Sequence, residues 1–385
     1  MFSIVGFVCL SACEEGSTRG LDLETGSHSI TPNLVRGGEG RLVLSFLEVE
    51  EELTHLRYAQ LDGAVWGPVE TVVSSQDMLR NWADFASVLP LREGGIAAHW
   101  LVKSSTGFTY DAYVARRARD APWTPPTRLH ADQQLTEHGF VSLFEDAAGL
   151  GAIWLDGNQY PRGLRVMELR SATLDERGQP YDEVVVDQRV CDCCQTTAAI
   201  VGGQPVIAYR DRADDEIRDI SIAQYTESGW QVLGPVAADG WRITGCPVNG
   251  PVLSAHDSRL ALAWFTGMPS PRVRLALSSQ GGESFEVLDI ADSNVIGRVD
   301  ASAFAQGVVV SWMGAGGVHA RFVSWSGEKH AVHTLAEVDT SRRAGFAQIA
   351  VIDTRLIYAW TDTRAPQLQV RTAYKPLAEL VSAPG

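Results

Sequence analysis

The chain has 385 residues, 45% hydrophobic and 21% charged, a composition that excludes a disordered or collagen-like polymer and supplies a sizeable core. Lys and Arg number 32 against 47 Asp and Glu, and the net charge of −15 opposes binding to nucleic-acid backbones or anionic lipid headgroups. The longest apolar run falls well short of the roughly 20 residues that span a bilayer, so membrane attachment is expected through an anchor only.

The chain opens with an uncharged apolar run over 2–8, then small residues, then Glu14 and Glu15. Leu10-Ser11-Ala12-Cys13 resembles the lipobox of bacterial lipoproteins, although no Lys or Arg precedes the apolar run. The resemblance implies that residues 1–12 are a signal peptide, that Cys13 is acylated, and that the protein works in the cell envelope, as a periplasmic or outer-membrane lipoprotein. The polar stretch 13–29 reads as a tether, and 30–385 as a single domain. Four cysteines remain in the folded part, Cys191, Cys193, Cys194 and Cys246.

From residue 42 onward a short strand pattern recurs, at 42–48, 96–102, 150–156, 205–211, 260–266, 308–314 and 356–362. Its key aromatics are Phe46, Trp100, Trp154, Tyr209, Trp264, Trp312 and Trp360, spaced 54, 54, 55, 55, 48 and 48 residues apart. These strands are apolar on both faces, as expected where a sheet is sandwiched between neighbours. A strand precedes each across a Gly- or Asp-containing turn, a third follows, and several copies add an aromatic-led fourth, as at Trp66, Trp123 and Trp230. Four antiparallel strands about every 50 residues predict an all-β propeller of four-stranded blades, stacked so that the aromatics fill the gaps between them. Seven copies favour seven blades, with six and one incomplete unit as the alternative. The seventh copy lacks a fourth strand, which a segment near 20–24 or the tail from Leu377 could supply.

The strand ends Trp154-Leu-Asp156, Tyr209-Arg-Asp211-Arg212 and Trp360-Thr-Asp362 resemble the bacterial-neuraminidase-repeat propellers of the sialidase superfamily. The segment 278–285 resembles their Asp-box hairpin with Gln280 in place of the Asp, and 62–66 is a similar remnant. The likeness covers the folded chain and implies architecture more than activity. Sialidases clamp a carboxylate with three arginines and use a Glu-activated Tyr and an acid/base Asp. Arg298, Arg342 and Arg343 could supply part of such a clamp, but the Arg-Ile-Pro signature is absent from 31–36.

In a propeller the segments leading into the innermost strands gather at one mouth of the central channel. Here they carry Asn81, Asp84, Glu137, His138, Gln195, Asn249, Arg298, Asp300, Arg342 and Arg343, which are expected to line a ligand pocket. Asp84, Glu137 and Asp300 are candidate acid/base carboxylates, and His138 is a candidate general base. The sharpest feature is Cys191-Asp192-Cys193-Cys194 with Cys246 in the next repeat. Thiolates bind copper or zinc, with His138 as a further ligand. An even count in an oxidising compartment favours disulfides, and a redox pair is a third reading. No phosphate-cradling Gly loop, nucleophile elbow or basic-aromatic stripe appears.

The expected function is an exported sialidase-like propeller binding a ligand, glycan or soft metal, at the channel mouth. A glycoside hydrolase of sialidase type with a diverged site and an envelope-protein interaction scaffold are the alternatives.

Overall fold

The structure, a computed structural model, describes residues 19–105, 107–163, 166–364 and 366–382. The expected signal segment and Cys13 lie outside the described residues.

Seven antiparallel sheets follow one another around a ring, which settles the blade count at seven. Blade 1 runs Ser29–Arg36, Leu42–Glu50, Leu53–Asp62 and Glu70–Ser75, counted from the axis outward, and blade 2 has Ser87–Pro90 innermost. Blades 3 to 6 begin at His138–Glu145, Thr197–Val201, Val252–His256 and Val295–Phe304. Blade 7 comprises Gln348–Ile352, Arg355–Asp362 and Gln369–Pro376, and its fourth strand is Arg19–Leu21 from the other end of the chain. That strand pairs Arg19 with Tyr374 and Leu21 with Thr372, and Thr372 Oγ1 donates to Leu21 O (2.7 Å). The domain therefore takes in residues from 19 onward, part of the stretch expected to be a tether. The tail from Leu377 forms a short helix, Leu377–Val381, and not the closing strand.

The repeated strand is the second of each blade. Phe46, Trp100, Trp154, Tyr209, Trp264 and Trp312 are all buried there. Apolar side chains form seven core clusters, one at each junction between adjacent blades. One blade cannot cover its own two faces, so the closed ring is what removes these side chains from water. The worn Asp-box at 278–285 closes the third hairpin of blade 5. Ser278 Oγ accepts the Gly282 N–H (2.9 Å), and Gly281 and Gly282 take the left-handed conformations (φ 66° and 102°) that the turn requires.

Candidate functional site

The innermost strands surround a central channel of about 730 Å³, and at their leading ends they are sewn together by side chains. Asp84 Oδ1 accepts the Phe140 N–H (2.8 Å), Gln195 Oε1 the Gly250 N–H (2.9 Å), Asn249 Oδ1 the Arg298 N–H (2.6 Å) and Asp300 Oδ2 the Ile349 N–H (2.6 Å). Each bond runs from one blade to the next. Phe140 and Arg298 donate from positive φ (both 51°), a conformation costing on the order of 1–3 kcal/mol, which the neighbouring side chain helps to hold. Burial pushes both Asp84 and Asp300 up to about 7, partly offset by these N–H groups. Asp84 also accepts the Tyr110 hydroxyl (2.9 Å).

Four of the expected pocket residues are thus blade-to-blade staples. Arg298 is likewise engaged with backbone, donating to Ser341 O (2.9 Å) and Gly345 O (3.0 Å) with its guanidinium over the Trp82 ring. Asn81 caps the turn at Ala83, and Arg342 and Arg343 are exposed. Trp82 stacks on Phe346 and Gln195 Nε2 donates to Ala83 O (2.6 Å), so side chains from blades 2, 4, 6 and 7 meet across the mouth.

The open chemistry lies off the axis, over blades 3 and 4. The segments leading into blades 3 to 5 bring Glu137, Asp192, Cys193 and Cys246 there. The turns between the second and third strands of blades 3 and 4 add Tyr160, Arg212, Glu216 and Arg218. The turn carrying Tyr160 docks on Glu137 through the Gly157 N–H, which donates to Glu137 O (2.9 Å). Glu137 is half-buried, and burial with the adjacent Asp192 charge pushes it up to about 7. Burial, Asp192 and Glu137 together push the Tyr160 hydroxyl up. Arg212 bonds Asp192 Oδ1 (2.9 Å) and Glu216 Oε1 (2.9 Å), and Arg218 bonds Glu216 Oε2 (2.8 Å). Both guanidiniums are committed to these carboxylates.

No disulfide joins the four cysteines of the described residues. Cys191 and Cys194 Sγ are 2.7 Å apart, Cys191 and Cys193 4.0 Å, and Arg218 Nη1 donates to Cys191 Sγ (3.4 Å). Burial raises the Cys191 thiol, but hydrogen bonds from Cys193 and Cys194 and the Arg218 charge outweigh it and hold Cys191 well below the usual thiol range. Cys246 is lowered by its hydrogen bond to Cys193. Sulfurs on one tetrahedral zinc, with 2.3 Å bonds, sit about 3.8 Å apart. The Cys191–Cys193 separation is close to that value, the three sulfurs of Cys191, Cys193 and Cys194 lie near enough to one another to hold a soft metal ion, and the Cys191–Cys194 contact also sets two thiols side by side.

His138 faces away from the recess, into a buried cluster between blades 2 and 3. Its ring stacks on His130 (centroids 3.5 Å apart, planes 7° from parallel), and Asp111 and Asp132 flank the pair. The expected pairing of Glu137 and His138 in one pocket therefore separates: neighbours in sequence, they point to opposite sides of the strand start. Tyr160, Arg212, Glu216 and Arg218 were not singled out in the sequence. Their signal is the unusually long, charged turn 211–219 and the turn 157–166, where other blades make shorter connections.

No protein-family description matches the chain, and no curated protein does. Among solved structures, the polysaccharide lyase Uly1 is 10% identical, with a TM-score of 0.55 over 96% of this chain and 94% of that one. The α-L-arabinanase of Penicillium chrysogenum, solved with arabinobiose, is 12% identical, with a TM-score of 0.54 over 95% and 99%. The β-propeller domain of a protease from Pyrococcus furiosus is 11% identical, with a TM-score of 0.50 over 92% and 99%. These likenesses establish the propeller fold, as the repeats led one to expect.

Proposed function

We propose that the protein is a carbohydrate-active propeller of the cell envelope that takes a neutral glycan in the recess over blades 3 and 4, with glycoside hydrolysis as its reaction. The observation that carries this reading is the gathering of three half-buried groups, Glu137, Tyr160 and Asp192, near enough for their charges to act on one another. In this reading Glu137 exchanges the proton with the glycosidic oxygen, Asp192 is the second carboxylate, and Tyr160 offers a ring and hydroxyl to a sugar. Two of the solved propellers of similar fold act on polysaccharides or arabinan chains, as their names state, which supports the substrate class. The pairing of Arg212 and Arg218 with carboxylates and the net charge of −15 favour a neutral glycan over sialosides and polyuronates. Export fits the reading, since the substrate would lie outside the cytoplasm.

The test is incubation of the purified protein with arabinan, other neutral glycans, sialosides and a polyuronate. New reducing ends from a neutral glycan, abolished in Glu137→Gln, support the proposal. An ultraviolet-absorbing unsaturated product would make the protein a lyase. Turnover of sialosides alone, or no turnover and no binding across the panel, would overturn it.

A further inference from the structure

We propose that blade 3 holds a buried divalent cation of the zinc class, ligated by His138 Nε2, Asp132 Oδ2 and Asp156 Oδ1. The proposal does not rest on the glycan reading. His138 is the first residue of the inner strand of blade 3 and pairs in register with Asp156 at the end of the next strand. Asp132 comes from the connector that follows Thr127–Arg128, the last strand of blade 2. The side chains of His138 and Asp156 are wholly buried, and Asp132 is 18% exposed.

Three observations converge on an ion. His138 Nδ1 lies 3.4 Å from Tyr110 O, a carbonyl that can only accept, which assigns the proton to Nδ1 and leaves the Nε2 lone pair free. Ligating imidazoles characteristically donate their other N–H in this way to a carbonyl or carboxylate, and Asp111 Oδ1 at 3.5 Å stands behind the carbonyl. Secondly, Nε2 is 3.3 Å from Asp132 Oδ2 and 3.8 Å from Asp156 Oδ1, yet it is buried and makes no hydrogen bond. Nitrogen and oxygen at that distance but out of line have the spacing of two corners of a tetrahedron with bonds of 2.0–2.1 Å, about 3.3–3.4 Å. Their orientation is fixed from outside. Asp132 Oδ1 accepts the Gln134 N–H (2.8 Å), and Asp156 Oδ2 the Trp154 indole N–H (3.0 Å).

The third observation is charge. Among the described residues, Asp111, Asp132 and Asp156, with Glu168 and Glu183 beside them, pair with two guanidiniums, those of Arg128 and Arg170. The two stacked imidazoles stand between these carboxylates, in contact with Asp111 and Asp132. A divalent ion supplies the charge from a single point between the carboxylates. It would tie the connector to the edge of blade 3 beside Glu137, so its role is structural.

The experiment uses the full chain, stripped with a chelator and then titrated with Zn²⁺ and, separately, Co²⁺. The expected result is one Zn²⁺ per chain, a melting temperature that falls on stripping and recovers on reloading, and a Co²⁺ form with visible bands but no near-ultraviolet thiolate charge transfer. Binding should survive replacement of all four cysteines by serine and weaken at least about 10-fold in Asp132→Asn. Should Asp132→Asn not fold, the Co²⁺ spectrum of the wild type decides. No Zn²⁺ bound at excess, thiolate bands in the Co²⁺ form, or an ion lost with the cysteines would each overturn the site. So would a nitrogen NMR spectrum of the Zn²⁺-treated protein with both His138 nitrogens protonated.

Discussion

The starts of blades 5 to 7 and the connectors of blades 3 and 4 surround their polar side chains differently. On the first side Asn249, Arg298 and Asp300 bond backbone groups of neighbouring blades. On the second, Asp192, Arg212, Glu216 and Arg218 bond one another, and Glu137 and Tyr160 stand beside them half-exposed. A side chain tied to a buried backbone N–H has no substitute partner, so it serves the ring alone. Side chains tied to other side chains can exchange partners when a ligand arrives. Rivets recur around the ring, at Asp84 and Gln195 as well as at Asn249 and Asp300, whereas the network of side chains bonded to one another is a feature of the connectors of blades 3 and 4.

Substitutions can break the contrast. The largest effect is expected for Glu137→Gln, which should lower glycan turnover by about 100-fold or more while changing stability by no more than about 0.5 kcal/mol, read from kcat and denaturant unfolding. Loss of stability with unchanged turnover would put Glu137 among the rivets. Asp300→Ala should do the reverse, costing about 2–3 kcal/mol by orphaning the Ile349 and Ala301 N–H groups and leaving kcat intact.

The same carboxyl has a pH signature. Burial raises it from 3.8 to about 7, so the folded protein binds its proton more tightly than the unfolded chain. Its contribution to stability is present below pH 4 and declines as pH rises towards 7. Glu216, held at about 2 chiefly by Arg212, runs the other way, stabilising above its ordinary value and losing that contribution on acidification. Unfolding midpoints across this range should show Asp300→Asn reducing the first slope, which Asp84 and Glu137 share, and Glu216→Gln reducing the second. The smallest effect is expected at the thiols. Mild oxidation should join Cys191 to Cys194, seen by peptide mapping, and raise stability by no more than about 2 kcal/mol because the loop is so short.

The blades were legible in the sequence because Trp100, Trp154, Trp264 and Trp312 fill the same niche between sheets, and a niche repeated by geometry repeats in spacing. Glu137 and the cysteines were legible as reactive types at blade starts. Asp84, Gln195, Asn249 and Asp300 looked the same in sequence, since residue type reveals capacity to hydrogen-bond but not the partner. Their partners lie 49 to 56 residues away on the next blade. His138 was found and misplaced for a related reason: a strand start alternates faces, so Glu137 and His138 diverge. Arg212, Arg218 and Asp132 sit on connectors with no period of their own.

The three-residue strand Arg19–Leu21 that completes blade 7 also has a mechanical consequence. It is antiparallel to Gln369–Pro376 and flanked by Trp66, whose indole N–H bonds Thr372 Oγ1 (2.9 Å). Tension applied along the chain ahead of Arg19 would load its few rungs together in shear instead of peeling them singly. The ring's clasp is thus arranged to resist a pull from whatever precedes it, and to open as a unit when the force exceeds that limit.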